Sequence, residues 1–173
     1  MNPIIFLYLL VMIFPAYIAN AIPVIAGGGG SIDFNIKFLD GRRLLGKGKT
    51  IRGTFWGIAA GFITGIVLIF VLPTMFFPLY DFSTKLLISF LLSFGALFGD
   101  SAGSFLKRRF GFKDGQQAEY LDQLSFLAGS LLFTYSYFPL TPINLVFLII
   151  FSYLIHKITN LIAHRLNLKK VPW

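Results

Sequence analysis

Segments 33–52 and 100–122 hold 16 of the 22 charged side chains in this chain of 173 residues, and every acid except Asp81 lies in them. In the second, Asp100 and Asp122 flank Lys107, Arg108 and Arg109. Hard carboxylate oxygens close to phosphate-binding cations suit Mg²⁺, and a run of Lys and Arg suits polyphosphate oxygens. The bland alternative is that both acids simply pair with the neighbouring bases. The first segment contains Asp40-Gly41-Arg42-Arg43-Leu44-Leu45-Gly46 and then Gly48-Lys49-Thr50. Glycine lets backbone approach a phosphate closely, and the bases neutralise it. A P-loop does not fit: Gly48 stands where one register needs Ser or Thr, and Arg43 replaces the first Gly of the other. His156, Asn160 and His164 recur every four residues, hence on one helical stripe. With no acid in that helix to complete a metal site, they read as a polar seam facing the bundle, and Asn20 reads the same way.

The elements that must carry these groups are apolar. Hydrophobic residues make up 56% of the chain, charged residues 13%, and mean hydropathy is +0.77. Residues 1–32, 53–80, 86–99 and 123–156 hold no Asp, Glu, Lys or Arg. One soluble core cannot hide that much apolar surface, so a bilayer is the expected solvent. A soluble domain, a disordered tail and a disulfide scaffold are excluded, the last because Cys is absent. A nucleic-acid-binding module is disfavoured despite the net charge of +8. The apolar N-terminus lacks a basic region and a cleavage site, so it reads as a retained helix.

About 20 apolar residues span a bilayer. Spans are expected at 3–24, 54–76, 84–103, 121–138 and 142–164, with Pro139 and Pro142 dividing the last two. The expectation is an all-α integral membrane protein, residues 1–173 forming a single domain. Asp100 would end the third helix and Asp122 begin the fourth. Fourteen Lys and Arg, including Lys157, Arg165, Lys169 and Lys170, fall on the side of loops 1–2 and 3–4 and the C-terminus; Lys85 alone falls opposite. That bias places the N-terminus outside, with both polar loops and the C-terminus cytoplasmic. No internal repeat is visible, and Gly27–Gly30 reads as a flexible exit from the first helix.

Ser104-Phe105-Leu106-Lys107-Arg108, four residues, then Lys113-Asp114 resembles the opening of the phosphatidate cytidylyltransferase signature. The chain departs from it afterwards: the His-Gly-Gly is missing, Asp122-Gln123 replaces Asp-Arg, and the chain is much shorter. The archaeal CDP-archaeol synthase family is more similar. Its characteristic stretches resemble Pro15–Asn20, Asp40–Gly46, Gly48–Thr50, Gly99-Asp100, Ser104-Phe105, Lys107–Arg109, Gly111 and Leu121–Gln123, in order along nearly the whole chain.

The resemblance implies a membrane enzyme that moves CMP from CTP to digeranylgeranylglyceryl phosphate, an isoprenoid lipid phosphate, and releases pyrophosphate with Mg²⁺ present. It implies catalytic roles for Asp100, Asp122 and Lys107, with Mg²⁺ on the two carboxylates. Substrate-binding roles fall to Asp40, Arg42, Arg43, Lys49, Ser104, Arg108, Arg109 and Gln123, the arginines and Lys49 facing the triphosphate, the leaving pyrophosphate or the lipid phosphate. The lipid chains would lie between helices. Two other classes compete. An anion transporter would place its charges at the bilayer midplane, commonly in inverted repeats. A CDP-lipid alcohol phosphotransferase would need Ala-Arg where Leu44-Leu45 stands. A non-enzymatic lipid-binding subunit explains the acids poorly. Oligomeric state is left open by the sequence.

Overall fold

The structure, a computed structural model, describes residues 4–168 and 171. Lys169 and Lys170 of the basic C-terminal stretch, and residue 3 at the start of the first expected span, lie outside the described residues. Five α-helices occur among the described residues: α1 Ile4–Ala26, α2 Ile51–Val71, α3 Phe82–Arg109, α4 Glu119–Phe133 and α5 Pro142–Arg165. The all-helical expectation therefore stands. Four of the helices, all but α4, are long and apolar enough to cross a membrane.

Local chemistry sets the helix limits. Thr50 caps α2, its Oγ1 accepting from the Gly53 amide at 3.1 Å. This starts α2 three residues before the expected position 54, and the helix stops at Val71, ahead of Pro73, instead of running to 76. Asp81 caps α3, and Thr141 caps α5 with Pro142 in the first turn. Helix α3 is the main departure. It runs 28 residues, about 42 Å, beyond a hydrocarbon core of about 30 Å. Asp100 therefore lies inside the helix rather than at its end, and Lys107, Arg108 and Arg109 form its last turn. Basic side chains there oppose the negative end of the helix dipole, which favours continuing the helix into the polar region. Helix α4 does begin near Asp122, but it has 15 residues, about 22 Å, and ends at Phe133 rather than 138.

Glycines let the helices approach. On α2, Gly57 and Gly61 pack against Pro15 and Ala19 of α1, and Gly61 and Gly65 against Ser93 and Ser89 of α3. A Cβ on Gly61 would sit 2.5 Å from Ser93 Oγ and 2.7 Å from the Pro15 carbonyl. Between α3 and α4, a Cβ on Gly99 would sit 2.1 Å from the Ser125 carbonyl. Small residues every fourth position are the signal for such packing in lipid; the spacing of Gly53, Gly57, Gly61 and Gly65 carries it in the sequence. The core between these helices includes Leu9, Ile13, Ile88, Leu92, Phe126 and Leu148. Helix α5 leaves Ile150, Leu154 and Ile158 exposed, as a lipid-facing helix does.

Candidate functional site

Residues 27–50 fold as an irregular loop over the projecting end of α3. Its centre is Asp33, which is 3% exposed. Its carboxylate accepts from Arg43 Nη2 at 2.6 Å and Nε at 3.3 Å, and from the amides of Leu45 and Gly46 at 3.1 Å and Asn35 at 3.2 Å. Burial alone pushes this carboxyl up, but the hydrogen bonds from Arg43 and the three amides outweigh it and hold it well below the usual carboxylate range. The bond to Asp33 in turn raises the Arg43 guanidinium. No role for Asp33 was read from the sequence. An acid followed ten residues later by Arg within a Gly-rich segment is compatible with many folds, and only the closed loop makes it a hub.

The arginines bind the loop to α3. Arg42 Nη1 donates to the carbonyls of Arg108 and Arg109 at 3.1 and 2.9 Å. Those carbonyls end the helix, and that of Arg108 also accepts from the Gly111 amide at 3.2 Å. Arg108 Nε donates to the Leu45 carbonyl at 3.0 Å, and its Nη1 lies 3.3 Å from Asp114. Arg109 donates to Asp40 at 2.9 Å and to the Arg43 carbonyl at 2.6 Å, with its guanidinium 4.7 Å and 4.9 Å from the Phe38 and Phe105 ring centroids. Gly46, at φ +128°, fits where a Cβ would come within 2.8 Å of Asp114 Oδ1. Arg42, Arg43, Arg108, Arg109 and Asp40, expected at the substrate, thus brace the two polar segments against each other. Their partners include backbone carbonyls, carboxylates and the Ser31 hydroxyl, while the buried Arg109 Nε has none among the described residues.

The lysines are placed differently. Lys49, just before α2, donates its ammonium to Asp100 of α3. Lys107, at the end of α3, donates to Asp122 of α4 at 2.6 Å. Both carboxylates are a quarter exposed. Asp100, Ser104 and Lys107 follow at spacings of four and three, so they share a stripe of α3. Asp100 and Lys107 are seven residues, about 10 Å of axial rise, apart on α3, with Ser104 between them. A small cleft opens beside Asp100 between the end of α1, the start of α2 and the C-terminal half of α3, lined by Pro23, Gly48, Lys49, Thr50, Thr54 and Ser101. Gln123, one residue after Asp122, is buried at 3% exposure.

This arrangement offers partly exposed carboxylates: Asp100 meets the Lys49 ammonium, and Asp122 meets the Lys107 ammonium and accepts from the Ala118 amide at 2.9 Å. Among the described residues no three His, Asp or Glu converge as a closed metal site. Mg²⁺ characteristically takes one or two carboxylates and completes its shell with water and substrate phosphates. Asp100 and Asp122 fit that donor set; among the described residues no cage built wholly from protein occurs.

The stripe on α5 is bundle-facing in part. His156 Nε2 lies 3.2 Å from Asn20 Nδ2, and Ser152 Oγ lies 2.6 Å from Tyr17 Oη. Asn160 is buried and His164 is half-buried. The Asn20–His156 and Tyr17–Ser152 contacts join α1 to α5.

The sequence and the fold have known relatives. The CarS-like family, described as CDP-archaeol synthase, matches residues 1–173. A CDP-archaeol synthase of Methanococcus maripaludis (strain C5) is 48% identical over 167 residues, covering 93% of each chain. Those of Thermococcus kodakarensis and Pyrococcus abyssi are 47% and 44% identical, the second over the full length of both chains. A solved structure described as "Structural insight into an intramembrane enzyme for archaeal membrane lipids biosynthesis" superposes with a TM-score of 0.78 at 38% identity, over 87% of this chain and 91% of that one. With a polar site held at one end of an apolar helix bundle and likeness along the whole chain, this protein belongs to the CDP-archaeol synthase family.

Proposed function

We propose that the chain is a membrane cytidylyltransferase that transfers CMP from CTP to an archaeal isoprenoid lipid phosphate, giving CDP-archaeol and pyrophosphate. Membership of the CDP-archaeol synthase family over residues 1–173 supports the reaction. The observation that carries the site is the pair of lysine–carboxylate contacts, Lys49 with Asp100 and Lys107 with Asp122, on one stripe of α3.

A phosphate oxygen of the lipid attacks the α-phosphorus of CTP. The bond from that phosphorus to the bridging oxygen of the β-phosphate breaks, and pyrophosphate carries away the electron pair. The attacking oxygen is already anionic, so no general base is needed. The barrier is repulsion between two anions, which preorganised cations lower. Asp100 and Asp122 are the residues that would hold Mg²⁺, whose chemistry here is charge neutralisation on the phosphates. Nucleotide binding would release Lys49 and Lys107 from the carboxylates. Each ammonium then turns to phosphate oxygens, keeping every charge compensated. Arg42, Arg43, Arg108 and Arg109 hold the polar segments in register and add positive potential to the site.

The lysine and arginine bias supports an external N-terminus, with the site at the cytoplasmic face where CTP is found. The lipid chains stay in the bilayer beside the bundle. An anion transporter fits less well, because the ion pairs lie at one end of the bundle rather than at mid-depth.

The test is pyrophosphate release by purified protein with each of the four nucleoside triphosphates, Mg²⁺ and digeranylgeranylglyceryl phosphate. Release with CTP that depends on the lipid is expected. No release with CTP sinks the reading.

A further inference from the structure

Lys157 stands apart from the cations of the two polar segments. It lies on α5, eight residues before the helix ends at Arg165, inside a helix apolar enough to cross a membrane. A lysine that serves topology alone belongs beyond the span, where Arg165 is. Leu154 and Leu161, three before it and four after it, flank it on the helix surface and are exposed, as lipid-facing groups are. An ionisable group in such a place is costly unless it is paired. Its partner is Glu119, the first residue of α4, at 3.4 Å, and Tyr153 Oη donates to the same carboxylate oxygen. The Tyr120 ring stacks on Tyr153 with centroids 6.2 Å apart, and tyrosines of this kind mark the headgroup level of a membrane.

The pair is open. The side chains of Lys157 and Glu119 are 61% and 41% exposed, against 10% for Lys107 in its pair with Asp122. An exposed ion pair contributes little and gives way to a stronger partner. Glu119 also fixes where the pair stands. It shares the first turn of α4 with Asp122, so the two acids are surface neighbours about 4.5 Å apart in rise. Lys157 is thus a cation on the lipid side whose counter-ion is one helical turn from a carboxylate of the site.

We infer that Lys157 is the docking residue for the phosphate of the lipid substrate, and that the lipid reaches the site from the bilayer at the junction of α4 and α5. The inference rests on the proposed reaction. CTP arrives from water and has no need of a cation set between Leu154 and Leu161. A phosphate whose chains stay in the bilayer meets this one first. The incoming phosphate displaces Glu119 from the ammonium, and Tyr153 goes on donating to the carboxylate left behind. No bond of the reaction is made here; Lys157 sets the side and the depth at which the attacking phosphate comes to Asp122.

The experiment measures pyrophosphate release in detergent micelles, varying CTP and, separately, the mole fraction of digeranylgeranylglyceryl phosphate. It compares wild type with Lys157→Met, Lys157→Arg and Glu119→Gln. Lys157→Met is expected to raise KM for the lipid phosphate at least about tenfold and to leave KM for CTP unchanged. Lys157→Arg keeps the charge and should stay near wild type. Glu119→Gln should lower KM for the lipid phosphate, because the competing carboxylate is gone. That sign separates docking from bracing: a pair that only tied α4 to α5 would make both neutral variants worse with both substrates. An unchanged lipid KM in Lys157→Met overturns the inference, as does a matching rise in KM for CTP. If Lys157→Met does not fold, Glu119→Gln decides, and a lipid KM that it fails to lower overturns the inference. An inactive wild type sinks the reaction itself, whereas an active wild type with indifferent variants sinks only the role of Lys157.

Discussion

Lys49 and Asp100, 51 residues apart in the chain, form an ion pair between the start of α2 and the middle of the site on α3. The contact joins the two polar segments beside the small cleft lined by Gly48, Thr50 and Ser101. A lysine held there by one carboxylate is mobile in a way that a forked arginine is not. Replacing Asp100 or Asp122 by Asn keeps size and hydrogen bonding while removing charge. Each variant is expected to lower kcat/KM for CTP by about 100-fold or more while unfolding at a temperature close to wild type. Turnover near wild type in both variants would remove the carboxylates from the mechanism.

Asp33 should matter to the loop rather than to the reaction. It is buried, and removing its charge leaves Arg43 unpaired, at a cost of about 3–5 kcal/mol. The folded carboxyl is held below its unfolded value of about 3.9, so its contribution is fully present above that pH. It fades as pH falls below about 4 toward the folded value. Thermal unfolding in detergent between pH 7 and pH 3 should show wild type losing stability in that acid range. Asp33→Asn should start less stable at pH 7 and depend less on acid. Parallel curves for the two proteins would contradict this.

Glycine positions separate steric need from backbone need. Gly61→Val places atoms where Ser93 Oγ, the Pro15 carbonyl and Ala19 already stand. It should destabilise by about 3 kcal/mol or more, or prevent recovery of monodisperse protein. Gly30→Ala meets nothing within 4 Å and should be near neutral. Yield and unfolding temperature of the two variants decide the point.

The Asn20–His156 contact ties α1 to α5 within the bundle. Hydrogen bonds between membrane helices contribute little each, about 0.6 kcal/mol on average in double-mutant cycles. A cycle of Asn20→Leu, His156→Leu and the double variant, read by unfolding in detergent, should give a coupling of that order. A coupling of several kcal/mol would mean that His156 does more than join two helices.

Much of the architecture was legible along the chain because lipid imposes one strong rule: a long apolar run must close its own backbone hydrogen bonds as a helix. The expected spans at 3–24 and 142–164 lie within a residue or two of α1 and α5. The errors fall where hydropathy is a poor guide. Helix α3 continues through Lys107, Arg108 and Arg109 because basic groups suit a helix C-terminus, and α4 stops early because Tyr and Ser residues after Phe133 turn toward the Pro139 break.

The residue types settled the membrane class, the helices and the two charged segments, since each depends only on composition and local spacing. Tertiary structure decided how the charges divide. Fourteen cations look alike in sequence, yet Arg42, Arg108 and Arg109 face helix-end carbonyls and loop backbone, while Lys49 and Lys107 sit on the carboxylates of Asp100 and Asp122. That division arises from contacts between residues tens of positions apart, set by how loop 27–50 closes around Asp33 over the end of α3. Periodicity and local charge carry no record of such contacts, because the partners meet only once the helices have packed.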